Sequence, residues 1–579
     1  MTMATNISTN VKKHYPPCRA ACPARVNVQG YVSLIQRGKF KEAVELIRED
    51  MPFPAICGRV CFSPCEDSCK RVDVDQAVAI RILKRAVADA EHEQGRVKPE
   101  RIPKKHGEKV AVIGGGPAGL AAGYELAKLG YPVTIFERMP EAGGMMRYCI
   151  PDFRLEKFVV ANEIAYIRDL GVHIETGTEF GRTCKSGKSC TLESLKNEGY
   201  KAVFISIGTQ KGMGLNIPGE DLEGVIDAVD FLGAIARGEN PEVGKKVAII
   251  GGGNSAMDAA RVAKRLGADE VTVLYRRSRE EMPALPDEVA ATEKEGIKFQ
   301  FLVAPKQIIG ENGKVKAVEC LHMKLGEPDE SGRRRPVPVG SSEHQYAVNL
   351  IIPALGQTAE TSCLPPELLD EKGRLVQVDP LTFETKVPGI FAGGDIATGP
   401  ASIIEAVSAG KKAAASIHLY LSGKDLRKAR DENIEETIWA KNLSGLKKKQ
   451  RRYEAREEKP HLSLEEVVQY LDSAKRNAMF ESFRCLGCGP CAECLASHEL
   501  CEGDKAVVEE SQCIGCNVCA VICPYEAIKK NENEIAQVDE TLCKGCGVCA
   551  ARCPQNAITM KKLTNQRILS LALNAQEDA

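Results

Sequence analysis

The chain has 579 residues, 27% of them charged, with 78 Lys and Arg set against 79 Asp and Glu. At roughly 150 residues per domain such a length implies about four domains, and near-neutral charge leaves no broad field for nucleic acid or an anionic membrane. The opening MTMATNISTN lacks the apolar stretch of an export signal, and no run of about 18 apolar residues occurs, so a cytoplasmic chain without membrane insertion is expected.

Cysteine is the informative residue. Of the 24 copies, six lie between Cys18 and Cys69 and thirteen between Cys485 and Cys553. A secreted disulfide scaffold is short; clustering at both ends of a long chain points to metal.

In chain order, residues 1–105 read as a helical iron-sulfur domain. Phe40, Val44 and Ile47, then Ile80, Leu83 and Val87, fall at helical spacing, and Cys18, Cys22, Cys57, Cys61, Cys65 and Cys69 interrupt the helices in short loops. Those six thiols suffice for one cluster.

Residues 106–225 open a nucleotide-binding unit. GGGPAG follows the strand KVAVI and starts a helix, so Gly114, Gly116 and Gly119 match G-x-G-x-x-G, with Ala118 inside the turn. The first glycine permits the tight turn, the second lets backbone approach a pyrophosphate, and the third lets helix and strand pack closely. The next strand, YPVTIFE, ends in Glu137, a carboxylate placed for ribose hydroxyls.

Residues 226–346 repeat the pattern with GGGNSA, which puts Gly251, Gly253 and Ala256 in the same places. The following strand, EVTVLY, ends not in an acid but in Arg276 and Arg277. A guanidinium there pairs with a 2′-phosphate, which favours NADP(H), with NAD(H) the alternative; arginines facing solvent or touching only the pyrophosphate are the plain reading.

Residues 347–422 return to the first unit. The strand IFAGGD ends in Asp395, a candidate acceptor for a flavin's sugar-alcohol chain, and a helix from about Ser402 offers its positive end to the flavin. One FAD site is then built from both flanks of the inserted unit.

Residues 423–484 form a charged helical linker with KKKQRR at Lys447. Residues 485–505 carry Cys485, Cys488, Cys491, Cys494 and Cys501, enough for a local cluster, with zinc as the alternative. Residues 506–565 hold an internal repeat, CIGCNVCAVICP at Cys513 and CKGCGVCAARCP at Cys543, before a tail at 566–579. In C-x2-C-x2-C-x3-C-P the fourth cysteine ligates the other cluster. Cys513, Cys516, Cys519 and Cys553 are therefore expected to hold one [4Fe-4S] cluster, and Cys543, Cys546, Cys549 and Cys523 the second. Structural zinc, which pairs C-x2-C units, does not need this register.

The order of half FAD unit, inserted nicotinamide unit and second half resembles the two-dinucleotide-binding-domain flavoproteins. A nearer resemblance is to the small subunit of glutamate synthase and its relatives. These include the large subunit of the bifurcating NADH-dependent ferredoxin:NADP oxidoreductase and the N-terminal half of dihydropyrimidine dehydrogenase. It is carried by CGRVC at Cys57, EAGGMMRYCIPDFRLE from Glu141 to Glu156, YRR at Tyr275 with EMPA at Glu281, and GGD at Gly393, over roughly residues 15–420. The C-terminal repeat resembles a bacterial two-cluster ferredoxin.

The resemblance implies an α/β multidomain chain: a helical iron-sulfur domain, a Rossmann-like FAD domain holding a Rossmann-like NAD(P) domain, and an α+β ferredoxin module. It implies electron transfer among NADP(H), FAD and [4Fe-4S] clusters, to or from a redox subunit or ferredoxin in a hetero-oligomer, with service in a bifurcating complex or to a separate synthase subunit as variants. A wiring subunit with idle nucleotide sites is the rival reading. No catalytic side chain is named, since the cofactors carry the chemistry.

The chain departs from that family in two places. An RCLxC unit expected before Cys18 is replaced by HYPP, and FRCLGC at Phe483 reads like the missing unit. Cys485 and Cys488 are then expected to fold back and join Cys18 and Cys69 around one cluster, the rival being a local cluster at Cys485 to Cys501. By resemblance Cys22, Cys61 and Cys65 match a cluster whose fourth ligand is not cysteine, and Cys57 a position that is no ligand. The second departure, Cys149, stands where relatives have glycine and is expected to be a buried small residue.

Overall fold

The computed structural model describes residues 13–96, 98–181, 190–329, 332–427, 434–436, 475–485 and 505–560, except 524, 544, 546 and 547. Two compact units result: Met1–Val97 with Arg427–Ala579, and Lys98–Leu426. No helix among the described residues is long and apolar enough to cross a membrane.

In the unit made from the two chain ends, the helices Val28–Gln36, Phe40–Asp50, Pro54–Val60 and Ile80–Gln94 close over Tyr31, Ile35, Val44, Ile47, Phe53, Ile56, Leu83 and Val87, all buried. Asn27 caps the first by accepting from the Gly30 N–H at 3.0 Å, and Pro54 starts the third at a position that needs no amide donor. Gly58 lets that helix meet the last one, since a Cβ there would lie 2.6 Å from the Arg85 backbone.

The C-terminal part of this unit has the two-fold look of its sequence. Strands Ile528–Lys530 and Ala536–Val538 pair antiparallel, as do Ala506–Val508 and Ile558–Met560, and short helices Val518–Ile522 and Val548–Arg552 follow the two cysteine loops. It is tied to the helical part by Arg19, which donates to Glu526 at 2.6 Å, and by the Ser33 hydroxyl, which donates to the Thr541 carbonyl at 3.0 Å.

The second unit contains two parallel sheets. One has the strand order Ile390–Ala392, Tyr200–Ile205, Lys109–Ile113, Val133–Glu137, His173–Thr176. The other runs Leu350–Pro353, Lys246–Ile250, Glu270–Tyr275, Lys298–Phe301. Near-continuous apolar runs such as VAVI and VAII suit strands covered on both faces. The strand Leu350–Pro353 pairs with Lys246–Ile250, so the inserted sheet runs past the boundary expected at 346. The apolar run LIIP does not say by itself which of two parallel sheets it joins.

A second difference from a plain Rossmann unit is an antiparallel sheet of Val303–Glu311, Lys314–Pro328, Arg334–Pro338 and His344–Ala347, which in the chain falls between the strands Lys298–Phe301 and Leu350–Pro353.

Candidate redox sites

The first glycine turn is fixed by backbone crowding. Gly114 has φ +103°, and a Cβ there would lie 2.6 Å from the Ser206 carbonyl oxygen; one at Gly119 would lie 2.0 Å from the Gly114 oxygen. At Gly116 a Cβ would meet nothing nearer than the Gly144 Cα at 3.9 Å, so the middle glycine leaves an opening where a pyrophosphate needs one. Glu137 turns its carboxylate onto the turn, accepting from the Gly115 N–H at 2.7 Å and the Met139 N–H at 2.8 Å. Burial raises its carboxyl above the ordinary range, opposed by those same two hydrogen bonds.

Beside the turn lies a cleft of about 540 Å³ lined by Gly114, Glu137, Arg138, Gly208, Gln210 and Glu360, among others. The return segment closes on the same turn: Gly394, φ +72°, lies with its virtual Cβ 2.9 Å from the Ala118 Cβ, and a Cβ at Gly410 in the helix Ile403–Leu421 would lie 2.2 Å from the Ala118 carbonyl oxygen. Asp395 accepts from the Thr209 hydroxyl at 3.3 Å. Burial lifts its carboxyl to about 6, with Thr209 opposing. Strands distant in sequence thus deliver Gly114, Glu137 and Asp395 to one sheet end, and a glycine opening with flanking carboxylate acceptors suits a flavin dinucleotide.

The second turn has the same backbone and different chemistry. A Cβ at Gly251 would lie 2.3 Å from the Ala354 carbonyl oxygen, while one at Gly253 would meet nothing nearer than the Pro283 Cγ at 4.0 Å, and buried Ala256 sits in the third position. Arg276 is exposed at the strand end. Arg277 is buried, its Nη2 donating to Asp329 at 2.5 Å and its Nε to the Arg334 carbonyl at 2.8 Å. The two arginines paired in sequence are therefore divided: Arg276 faces solvent, and Arg277 ties the strand to the antiparallel sheet.

Cys149 is buried in the core of this second sheet. Burial pushes its thiol up to about 12, which keeps it neutral, and the nearby Asp258 carboxylate acts in the same direction.

In the C-terminal module Cys513, Cys516, Cys519 and Cys553 line one pocket. The Ala536 N–H lies 3.5 Å from the Cys513 sulfur, the Ala557 N–H 3.3 Å from Cys553 and the Ala527 N–H 3.3 Å from Cys523. Backbone donors aimed at sulfur favour thiolate and suit an iron-sulfur cluster. Of the other set, Cys543 and Cys549 are buried and Cys523 is half-buried; Cys546 lies outside the described residues.

The N-terminal thiols fall into two groups. Cys22, Cys57, Cys61 and Cys65 are buried, whereas Cys18 and Cys69 are half-buried. Half-buried Cys485 comes close enough to Cys69 for its charge to reinforce the upward push that burial gives the Cys69 thiol.

The fold-back that places it is locked by Arg484, 1% exposed, which donates to Asp75 at 2.8 Å, Glu481 at 2.5 Å and the Gln76 carbonyl at 2.6 Å. Gln36 donates to the Ser482 carbonyl at 2.7 Å, and Glu481 accepts from the Ala79 N–H at 3.0 Å. Cys488, Cys491, Cys494 and Cys501 lie outside the described residues. No three Cys, His, Asp or Glu side chains among the described residues close on a single ion, but a [4Fe-4S] cube spreads its thiolates over separate corners.

Sequence reasoning passed over Thr209, Arg484 and Lys84. Only the last had a signal: Lys84 sits between Ile80 and Val87 on the apolar stripe of its helix, where an unpaired cation is out of place.

Two nucleotide turns in one unit, the second set within the first, and cysteine modules from both chain ends define a two-dinucleotide-domain flavoprotein with iron-sulfur modules. The chain belongs to the pyridine nucleotide-disulphide oxidoreductase family, whose model matches residues 108–410. Residues 9–96 match dihydropyrimidine dehydrogenase domain II, 4Fe-4S cluster, and residues 506–560 a 4Fe-4S dicluster domain. It is an iron-sulfur flavoprotein oxidoreductase.

Among curated proteins the chain is 43% identical over 430 residues to the NADP(+)-dependent formate dehydrogenase subunit beta of Moorella thermoacetica, covering 70% of this chain and 60% of that protein. It is 38% identical over 461 residues to the NADPH-Fe(3+) oxidoreductase subunit beta of Geobacter sulfurreducens, covering 75% of this chain and 68% of that one. With the glutamate synthase [NADPH] small chain of Escherichia coli the identity is 36% over 425 residues, 70% of this chain and 89% of that one. The match thus spans less than two thirds of the Moorella subunit's length.

Proposed function

We propose that the chain is an NADP(H)-linked electron-transfer subunit of the cytoplasm, passing electrons through FAD and [4Fe-4S] clusters to or from a partner redox protein in a hetero-oligomer. The observation that carries this reading is the opposite chemistry at two matching turns, Glu137 beside the first and exposed Arg276 beside the second. Names of similar proteins support it, since each is a subunit named for NADP(+) or NADPH.

Bound flavin supplies the exchange between a hydride donor and one-electron carriers. The chain's own part is positional. Gly114, Gly116, Ala118, Gly119, Glu137 and Asp395 hold the flavin dinucleotide; Gly251, Gly253, Ala256 and Arg276 hold the nicotinamide one, and Arg277 braces the strand that presents Arg276.

Cys513, Cys516, Cys519 and Cys553 hold one cluster, and Cys523, Cys543, Cys546 and Cys549 a second. Cys22, Cys61 and Cys65 serve a third, and Cys18, Cys69, Cys485 and Cys488 a fourth. Serine at Cys485 should remove one cluster's worth of iron and acid-labile sulfide; full retention assigns Cys485 elsewhere.

Anaerobic bleaching of the flavin tests the whole. NADPH should reduce it well ahead of NADH. No reduction by either coenzyme sinks the enzymatic reading, and preference for NADH sinks the role of Arg276.

A further inference from the structure

Lys84 is a buried lysine on an apolar helix stripe. It lies in the helix Ile80–Gln94 and is 4% exposed, flanked on the same stripe by Ile80, Leu83 and Val87, all at 2% or less. Leaving an ammonium in such a place costs several kcal/mol unless negative charge meets it. Among the described residues no carboxylate pairs with it. Its helix packs on the one that carries the thiols: a Cβ at Gly58, next to Cys57, would lie 2.6 Å from the backbone of Arg85, next to Lys84, and Arg81, one turn earlier, donates to the Cys61 carbonyl at 3.3 Å. The charges that act on the Lys84 ammonium are those of Cys61, Cys57, Cys65 and Cys22.

Four neutral thiols cannot repay a buried ammonium, whereas thiolates holding an iron-sulfur cluster can. The group comes from three short segments. Cys22 closes the helix Pro17–Ala21, Cys57 lies in Pro54–Val60 with Cys61 at its C-cap, and Cys65 lies in Pro64–Asp67. The Ser63 N–H, on a residue held at φ +58°, lies 3.4 Å from the Cys61 sulfur, a second donor suited to thiolate.

We propose that Lys84 is the built-in counter-charge of the cluster held by Cys22, Cys61 and Cys65 and raises that cluster's reduction potential. The proposal rests on the reading of these thiols as cluster ligands. Reduction adds one electron, and hence one negative charge, to the cluster. A fixed cation beside it stabilises the reduced form more than the oxidised one and raises the potential, with no proton moved. Lys84 belongs to a different unit from the nucleotide turns; it is a positioning residue that acts through charge.

The test is an anaerobic redox titration of the full chain followed by paramagnetic resonance, with Cys22→Ser used to identify the signal of this cluster. In Lys84→Met that signal should persist while its midpoint moves negative by 59 mV or more, the one-electron equivalent of a tenfold change. Lys84→Arg should move it by less than half as much, and the C-terminal signals should stay in place in both. A midpoint unchanged in Lys84→Met, or moved equally in Lys84→Arg, overturns the proposal.

Should Lys84→Met lose the cluster, Lys84→Gln and Lys84→Arg decide. Retention in the arginine form alone supports the charge requirement, and loss in all three overturns it in favour of packing. If Cys22→Ser deletes no signal and no iron, the ligand reading itself fails, an outcome distinct from a failure of Lys84.

Discussion

The two glycine turns share a backbone and differ in what the next strand brings to them. Each has a first glycine packed on a carbonyl, where a Cβ would lie 2.6 Å away at Gly114 and 2.3 Å away at Gly251, and a middle glycine facing open space. Glu137 then hydrogen-bonds the first turn, while the second strand ends in one exposed and one buried arginine. On the proposed reading, the turn takes a dinucleotide and the residue at the tip of the neighbouring strand selects which one.

The largest effect should come from the arginine that does not face the coenzyme. Arg277→Met removes one donor from the Asp329 carboxylate and one from the Arg334 carbonyl, at a cost of about 3 kcal/mol. Chemical unfolding would show it, with the ratio of NADPH to NADH efficiency unchanged. Arg276→Ala should do the reverse. Stability should stay within about 0.5 kcal/mol, while the coenzyme ratio falls by about 2 kcal/mol, roughly thirtyfold. If Arg277→Met alters the ratio and Arg276→Ala does not, the division of labour between the two is inverted.

What was legible in the sequence follows the same divide between local and distant. G-x-G-x-x-G is a local instruction, because strand, turn and helix lie within a dozen residues and their crowding needs no other partner. The cysteine repeat is also nearly local: Cys553 joins Cys513, Cys516 and Cys519 around one cavity because the duplicated spacing demands a crossover. The fold-back of Cys485 was visible only as a motif out of place.

Its anchor, Arg484 between Asp75 and Glu481, was not visible, since nothing in a run of charged residues tells which one will be buried. The split of Arg276 from Arg277 was hidden for a like reason. The partner Asp329 comes from an antiparallel sheet that the doubly wound pattern does not forecast. Leu350–Pro353 was assigned to the wrong side of a boundary because an apolar strand carries no address.

The smallest effect concerns Asp395, the first site's second acid, for which the second site has no counterpart. Burial lifts its carboxyl to about 6, above the ordinary value of about 3.9. In the flavin-free chain its contribution to stability is therefore present below about pH 4 and lost as pH rises through about 6. Flavin binding has the opposite sign, because a sugar hydroxyl that donates to Asp395 requires the carboxylate. FAD affinity should fall by up to about tenfold, or 1.4 kcal/mol, for each pH unit below about 6.

Titrating FAD into the stripped protein at pH 5 and 7 measures the step, and Asp395→Asn should flatten it while weakening binding at pH 7. NADPH binding to the FAD-loaded protein lacks this acid and should show no matching step with a midpoint set by Asp395. If the step survives in Asp395→Asn, the proton belongs to Glu137, whose carboxyl burial also raises. The contrast between the two sites then reduces to the one strand-end acid against Arg276.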